Sequence, residues 1–221
     1  MAANIPNLPL NAFGILSRKN NHIEVIMQAL KEYFTMLENF DHVGNSVAID
    51  RCHNMFMMGA LLSKKPDDIL ELGLGSGYVT ISLIHGVRYN GKGKITCVDN
   101  WADARGAFME DLSADLKKLG VNVVAPVEEY SFVSGCPSDA YDFLISDADH
   151  VNSGTWVDQH LRIVRSGGFL FFHDTNELNL YPNMALIVKR VTELNLCHYH
   201  FKESSRPDEQ CERGWLFVMK P

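Results

Sequence analysis

Between residues 22 and 40 the chain reads HIEVIMQALKEYFTMLENF, with apolar side chains at Ile23, Ile26, Leu30, Phe34 and Leu37. That spacing predicts a helix over 22–39. A second helix is predicted from Val47 to Leu62, stopping before Lys64-Lys65-Pro66, because the residue ahead of a proline is pushed out of helical geometry. From Asp67 the pattern changes to short β-rich runs that alternate with helical ones. DILEL (68–72), KITCVD (94–99), VNVVAPV (121–127), YDFLISD (141–147) and GGFLFFHD (167–174) read as strands. Between or after them, YVTISLIHGV, DARGAFMEDLSADLKKLG, WVDQHLRIV and NMALIVKRVTEL read as helices, the second closed by Gly120. CHYHFK (197–202) and GWLFVMK (214–220) complete seven strands.

Strand–helix alternation at this spacing predicts an α/β fold with a doubly wound, mostly parallel seven-stranded sheet. The last two strands are joined by the polar ESSRPDEQCER with no helix, so they should form an antiparallel hairpin at one edge. Residues 1–46 are expected to be an N-terminal helical extension, a lid or an oligomer contact, and 47–221 the main domain.

Bulk properties narrow the function. A chain of 221 residues, 46% hydrophobic and 21% charged, suits one globular domain with a full core. Its net charge of -7 disfavours non-specific attraction to nucleic acid or anionic membrane. Cysteines 52, 97, 136, 197 and 211 form no CxxC pair, which fits reduced thiols in a cytoplasmic protein. No apolar run approaches the length of a membrane span.

The chemistry concentrates at strand ends. After DILEL comes Gly73-Leu74-Gly75-Ser76-Gly77, a glycine turn at the carboxyl end of the first sheet strand, where open α/β sheets bind ligands. A dinucleotide fingerprint would put its third glycine where Tyr78 stands. Glu71, two residues before the first glycine, would repel a diphosphate and attract an ammonium group. S-adenosylmethionine carries an ammonium and a sulfonium. Asp99, ending the next strand, can accept ribose hydroxyls, and Asn100 and Trp101 follow where a ring could lie against adenine.

ELGLGSG and VDNW thus resemble the first two motifs of class I S-adenosylmethionine-dependent methyltransferases. The resemblance runs from about Val47 to the C-terminus. It implies a cofactor site of Glu71, Gly73, Gly75, Ser76, Gly77, Asp99, Asn100, Trp101, Glu128 and Asp147, with Glu128 at the adenine edge.

Two further strand ends, SDADH (146–150) and HDTNE (173–177), resemble those of metal-dependent small-molecule O-methyltransferases. Within these, they are most similar to the macrocin O-methyltransferase and cephalosporin hydroxylase-like branch. That resemblance implies Asp147 and Asp174 as ligands of a divalent cation, Mg²⁺ first, and His150 as general base. Thr175 stands where catechol-type relatives have Asn, and His173 where other relatives have an acid. The third ligand is therefore open between His173, which suits Mn²⁺, Fe²⁺ or Zn²⁺, and Asn176. Asp149 is an alternative to Asp147.

The implied activity is methyl transfer to a hydroxyl of a small molecule, in a family that spans sugars, phenols and other natural products. A non-catalytic S-adenosylmethionine-binding or assembly protein on the same fold is the alternative. An NAD-type oxidoreductase is disfavoured by Glu71 and Tyr78. The alternating His198 and His200 read as the polar face of an edge strand, the methionines of MFMMGALL as core, and His53 as able to reach the cofactor's methionine end.

Overall fold

The computed structural model describes residues 51–75, 77–100, 106–176, 181–201 and 213–221. The helix expected over 22–39 and the extension 1–46 lie outside these residues. The first described helix is α1, Arg51–Lys64. It ends at Lys65, whose φ of 50° breaks the helical path ahead of Pro66. Then come β1 (Asp68–Leu72), α2 (Tyr78–Asn90), β2 (Lys94–Val98), α3 (Gly106–Lys118) and β3 (Asn122–Val124). The chain continues through α4 (Glu129–Gly135), β4 (Tyr141–Ser146), a 3₁₀ turn (Ser153–Trp156), α5 (Val157–Ile163) and β5 (Val164–His173). It closes with α6 (Met184–Glu193), β6 (Cys197–Phe201) and β7 (Trp215–Met219).

All seven expected strands form one sheet in the order β3-β2-β1-β4-β5-β7-β6. The first five are parallel, and β7 runs antiparallel to both β5 and β6. The last strand in sequence is thus interior, and β6 is the edge. Hydrophobicity explains the choice: Trp215, Leu216 and Val218 of β7 are buried, while Cys197, His198 and Tyr199 of β6 are exposed. Helix α4 was not anticipated, and β5 begins three residues before the expected Gly167.

Strands buried on both faces carry nearly continuous apolar runs. Leu70, Leu72, Leu144, Leu170 and Phe172 pack against Val157, Leu161 and Ile187 on one side. Phe143, Phe171 and Trp215, all fully buried, pack on the other. Burying each such side chain stabilises the fold by about 1.5–3 kcal/mol. At the amino ends of the strands Arg165 reaches Asp68 and Asp142, both at 2.9 Å, and so ties β1, β4 and β5 together. Winding reverses between β1 and β4, so the crevice expected for a ligand opens beyond their carboxyl ends.

Of the methionines read as core, Met57 and Met58 are buried but Met55 is 45% exposed.

Candidate active site

The glycine turn lies at that crevice. Gly73, Gly75 and Gly77 have φ of 90°, 49° and 81°, a region L side chains rarely occupy. At Gly73 the constraint is also steric, because a Cβ would stand 2.1 Å from the carbonyl oxygen of Asp147. Gly73 N–H donates to Val98 O and Asp147 N–H donates to Leu72 O, each at 2.8 Å. The turn after β1 and the loop after β4 are thereby locked together.

Asp99 Oδ2 accepts the N–H groups of Leu74 (2.8 Å) and Gly75 (3.2 Å), so this carboxylate shapes the turn directly. Its backbone pairs with Val124 and Val127, and Asn100 Nδ2 donates to Glu128 Oε2 at 3.2 Å. Asp99, Asn100 and Glu128 therefore gather beyond β2 and β3. Ser76 and Trp101 lie outside the described residues.

Glu71 differs from its expected role as an open anion. It is fully buried, and Oε2 accepts Thr80 Oγ1 at 2.7 Å and Cys97 Sγ at 2.9 Å. Oε1 is buried without a hydrogen-bond partner. Burial dominates and pushes the carboxyl from 4.5 up to about 8. Near neutral pH the acid form prevails, and the repulsion of a diphosphate inferred from charge alone is weaker than the sequence implies.

The loops after β4 and β5 bring Asp147, His150, His173 and Asp174 into one cluster. His173 Nδ1 lies 2.9 Å from Asp147 Oδ1 and 3.3 Å from Asp174 Oδ1. His150 Nε2 lies 3.1 Å from Asp174 Oδ2 and 3.6 Å from Asp147 Oδ1. Arg213 stands 3.9 Å from Asp174 Oδ1. Burial opposes a charged ring at His173, but the Asp147 and Asp174 carboxylates outweigh it and push the imidazole up to about 10. Asp174 is likewise desolvated, yet His173, His150 and Arg213 hold its carboxyl below the ordinary range. Its φ of 56° places a non-glycine residue in the left-handed region, a strain that concentrates at functional sites.

Asp147, His173 and Asp174 each offer one ligand atom, all within 4.8 Å of one another. Asp174 Oδ1 is buried and faces His173 Nδ1 at 3.3 Å. Two carboxylates and one imidazole suit a nitrogen-tolerant divalent metal. Among the alternatives, the Asn176 side chain lies against Gly214, where a Cβ would meet its Cγ at 2.6 Å. Thr175 Oγ1 pairs with His200 Nε2 at 3.0 Å, facing away from the cluster toward β6. Asp149 Oδ1 accepts the Asn152 N–H at 3.1 Å and so serves its own loop.

His53 stacks on Trp215, centroids 5.8 Å apart and planes 6° from parallel. His198 Nδ1 contacts Leu196 O, just before β6, at 2.8 Å, and its side chain is exposed on the edge strand. Sequence reasoning passed over Glu129, the neighbour of Glu128, which is buried and joined to Ser146, Asp149, Ser153 and His160. Nothing in EEYSF separates the two acids; the start of α4 turns the second one inward.

Residues 70–175 match the model of a methyltransferase domain family. Among curated proteins, none matches the chain in sequence. Similar solved structures include an O-methyltransferase from Bacillus cereus in complex with SAH, 15% identical, with 94% of each chain covered and a TM-score of 0.61. TomG from Streptomyces achromogenes, an O-methyltransferase involved in tomaymycin synthesis and solved with SAM, is 13% identical, with 94% of this chain and 93% of that chain covered and a TM-score of 0.62. The SAH-bound Podospora anserina methyltransferase PaMTH1 is 14% identical, with 95% and 100% covered and a TM-score of 0.61. At these identities the likeness speaks to the fold. Among the described residues, no helix is long and apolar enough to cross a membrane. With its sheet order and the methyltransferase-domain match over 70–175, the chain has the fold of the solved methyltransferases it resembles.

Proposed function

We propose that this protein transfers a methyl group from S-adenosylmethionine to a hydroxyl oxygen of a small molecule, with a divalent cation held by Asp147, Asp174 and His173. One observation carries the reading. The Asp147/His150/His173/Asp174 cluster abuts the glycine turn, with the Asp147 carbonyl against Gly73, so a cofactor seated on the turn would face the cluster. A pure binding module has no reason to keep such a cluster there.

On this reading Asp99, Asn100 and Glu128 take the nucleoside end, and the glycine turn with the unpartnered Oε1 of Glu71 takes the amino-acid end. An ammonium beside Glu71 favours its ionised form, so cofactor binding releases a proton there. S-adenosylmethionine supplies the methyl carbon and a neutral leaving sulfide. His150 takes the hydroxyl proton of the acceptor on the ring nitrogen away from Asp174, whose Oδ2, 3.1 Å from Nε2, holds the Nε2–H tautomer and stabilises the resulting imidazolium. A bound cation would lower the acceptor's pKa and orient its oxygen. His173 and Tyr181 support the site, the latter packing on His150 with ring centroids 4.9 Å apart.

A second reading is favoured by the 2.9 Å contact of His173 with Asp147. There the protonated ring already neutralises the carboxylates, and His150 works without metal. Calorimetry with SAH, followed by turnover with and without EDTA, separates these readings. Failure to bind SAH rejects the cofactor assignment, whereas turnover insensitive to EDTA rejects only the cation.

A further inference from the structure

The loop that carries Asp147 and His150 turns on its own backbone bonds from His150 to Ala148 and from Asn152 and Ser153 to Asp149, and one buried carboxylate outside the cluster ties that turn to the neighbouring helices. Glu129 begins α4 and is 5% exposed. Its Oε1 accepts His160 Nε2 at 2.7 Å and Ser146 Oγ at 3.2 Å. Its Oε2 accepts Ser153 Oγ at 2.7 Å and the Asp149 N–H at 3.0 Å. Four donors surround one side chain, and three of them (Ser146, Asp149, Ser153) bracket the segment on which Asp147 and His150 sit. His160, fully buried on α5, provides the fixed end of the clamp. The His160 and Ser153 bonds are short and buried, so each is worth more than a surface contact.

We propose that Glu129 is a positioning residue that clamps residues 146–153 and so holds Asp147 and His150 against His173 and Asp174. The inference rests on the functional reading above, because the cluster it positions is the one assigned there to catalysis. Glu129 touches neither cofactor nor acceptor in this scheme. It acts through the Asp149 amide and the two serine hydroxyls. This clamp distinguishes it from Glu128, which points outward to Asn100.

The test uses the full chain with Glu129→Leu and Ser153→Ala, and three readouts. These are SAH binding by calorimetry, Mn²⁺ binding by electron paramagnetic resonance, and amide hydrogen exchange of residues 147–152. For Glu129→Leu the expected result is Mn²⁺ affinity weakened by about tenfold or more, as loss of a group supporting a metal ligand does. The Asp149 amide should exchange about tenfold faster, and SAH affinity should stay within about twofold, since the glycine turn is intact. Ser153→Ala should shift Mn²⁺ affinity and Asp149 exchange the same way by about threefold, with SAH affinity unchanged, one donor of four being lost. Wild-type exchange and Mn²⁺ binding in both variants would overturn the proposal. So would equal loss of SAH and Mn²⁺ binding in Ser153→Ala, which would mark a general folding role. If Glu129→Leu does not fold, Ser153→Ala decides alone. If the wild-type chain binds SAH but not Mn²⁺, the cation reading fails and Glu129 is judged by exchange alone. If it binds neither, the functional reading fails and the exchange result still stands or falls by itself.

Discussion

Two buried glutamates flank the same crevice and end in opposite charge states. Glu71 projects from β1, is fully buried and receives two donors on one oxygen, leaving the other unpartnered. Burial wins there, and the carboxyl rises to about 8. Glu129 is almost as deeply buried but receives four donors, including His160. Burial again opposes ionisation, yet the hydrogen bonds and the His160 charge outweigh it and hold this carboxyl below its ordinary range. Depth alone therefore does not decide the charge of a buried acid. The number and kind of donors converging on it does. The β1 side of the crevice thus keeps an acid with spare capacity, while the β4 side has one that is fully committed.

The largest expected break in this comparison comes from Glu129→Leu. It strands the buried His160 and three further donors, and should lower unfolding free energy in chemical denaturation by about 3–5 kcal/mol. Glu71→Gln should behave differently, because Gln resembles the acid form already favoured. Between 4.5 and about 8 the unfolded chain has lost the Glu71 proton while the folded chain retains it. The folded state binds more protons, so wild-type stability falls as pH rises through that window, by up to about 1.4 kcal/mol per pH unit. Denaturation of Glu71→Gln across the same range should lack this component, and parallel curves for the two proteins would remove the claim that Glu71 is protonated.

Cofactor binding probes the same acid in the opposite sense. If the ammonium of SAH sits beside Glu71, wild-type affinity should rise by up to about tenfold per pH unit below about 8, since binding then releases one proton. Calorimetry in buffers of different ionisation enthalpy would detect that proton, and its absence would separate Glu71 from the ammonium. The smallest effect is expected from Thr80→Val, which removes one donor to the ionised Glu71. Its carboxyl should move above about 8, and stability at alkaline pH should fall by about 1 kcal/mol relative to wild type.

Much of this arrangement was legible in the chain itself. Seven apolar strand runs, the glycine turn and the acids that end β2, β4 and β5 are local patterns, each set by neighbours a few residues apart. Asp147, His150, His173 and Asp174 were named from two short motifs, and the fold brings all four together. The placement of β7 inside β6 was not legible, because it depends on pairing with β5 across about 50 residues of chain. Nor was the choice between Glu128 and Glu129 legible, since adjacent acids look alike until a helix start turns one outward and one inward. His53 could not be directed by its helix alone; Trp215, far along the chain, captured it.

By itself, the sequence determined the α/β architecture, the ligand-binding end of the sheet and the residue types gathered there, because periodicity and strand-end chemistry are encoded locally. Only the tertiary structure decided which acids are charged. Ionisation depends on how completely water is excluded and how many donors arrive, and both are properties of packing between distant segments. Glu71 and Glu129 carry the same side chain, and the fold gives them opposite electrostatic roles.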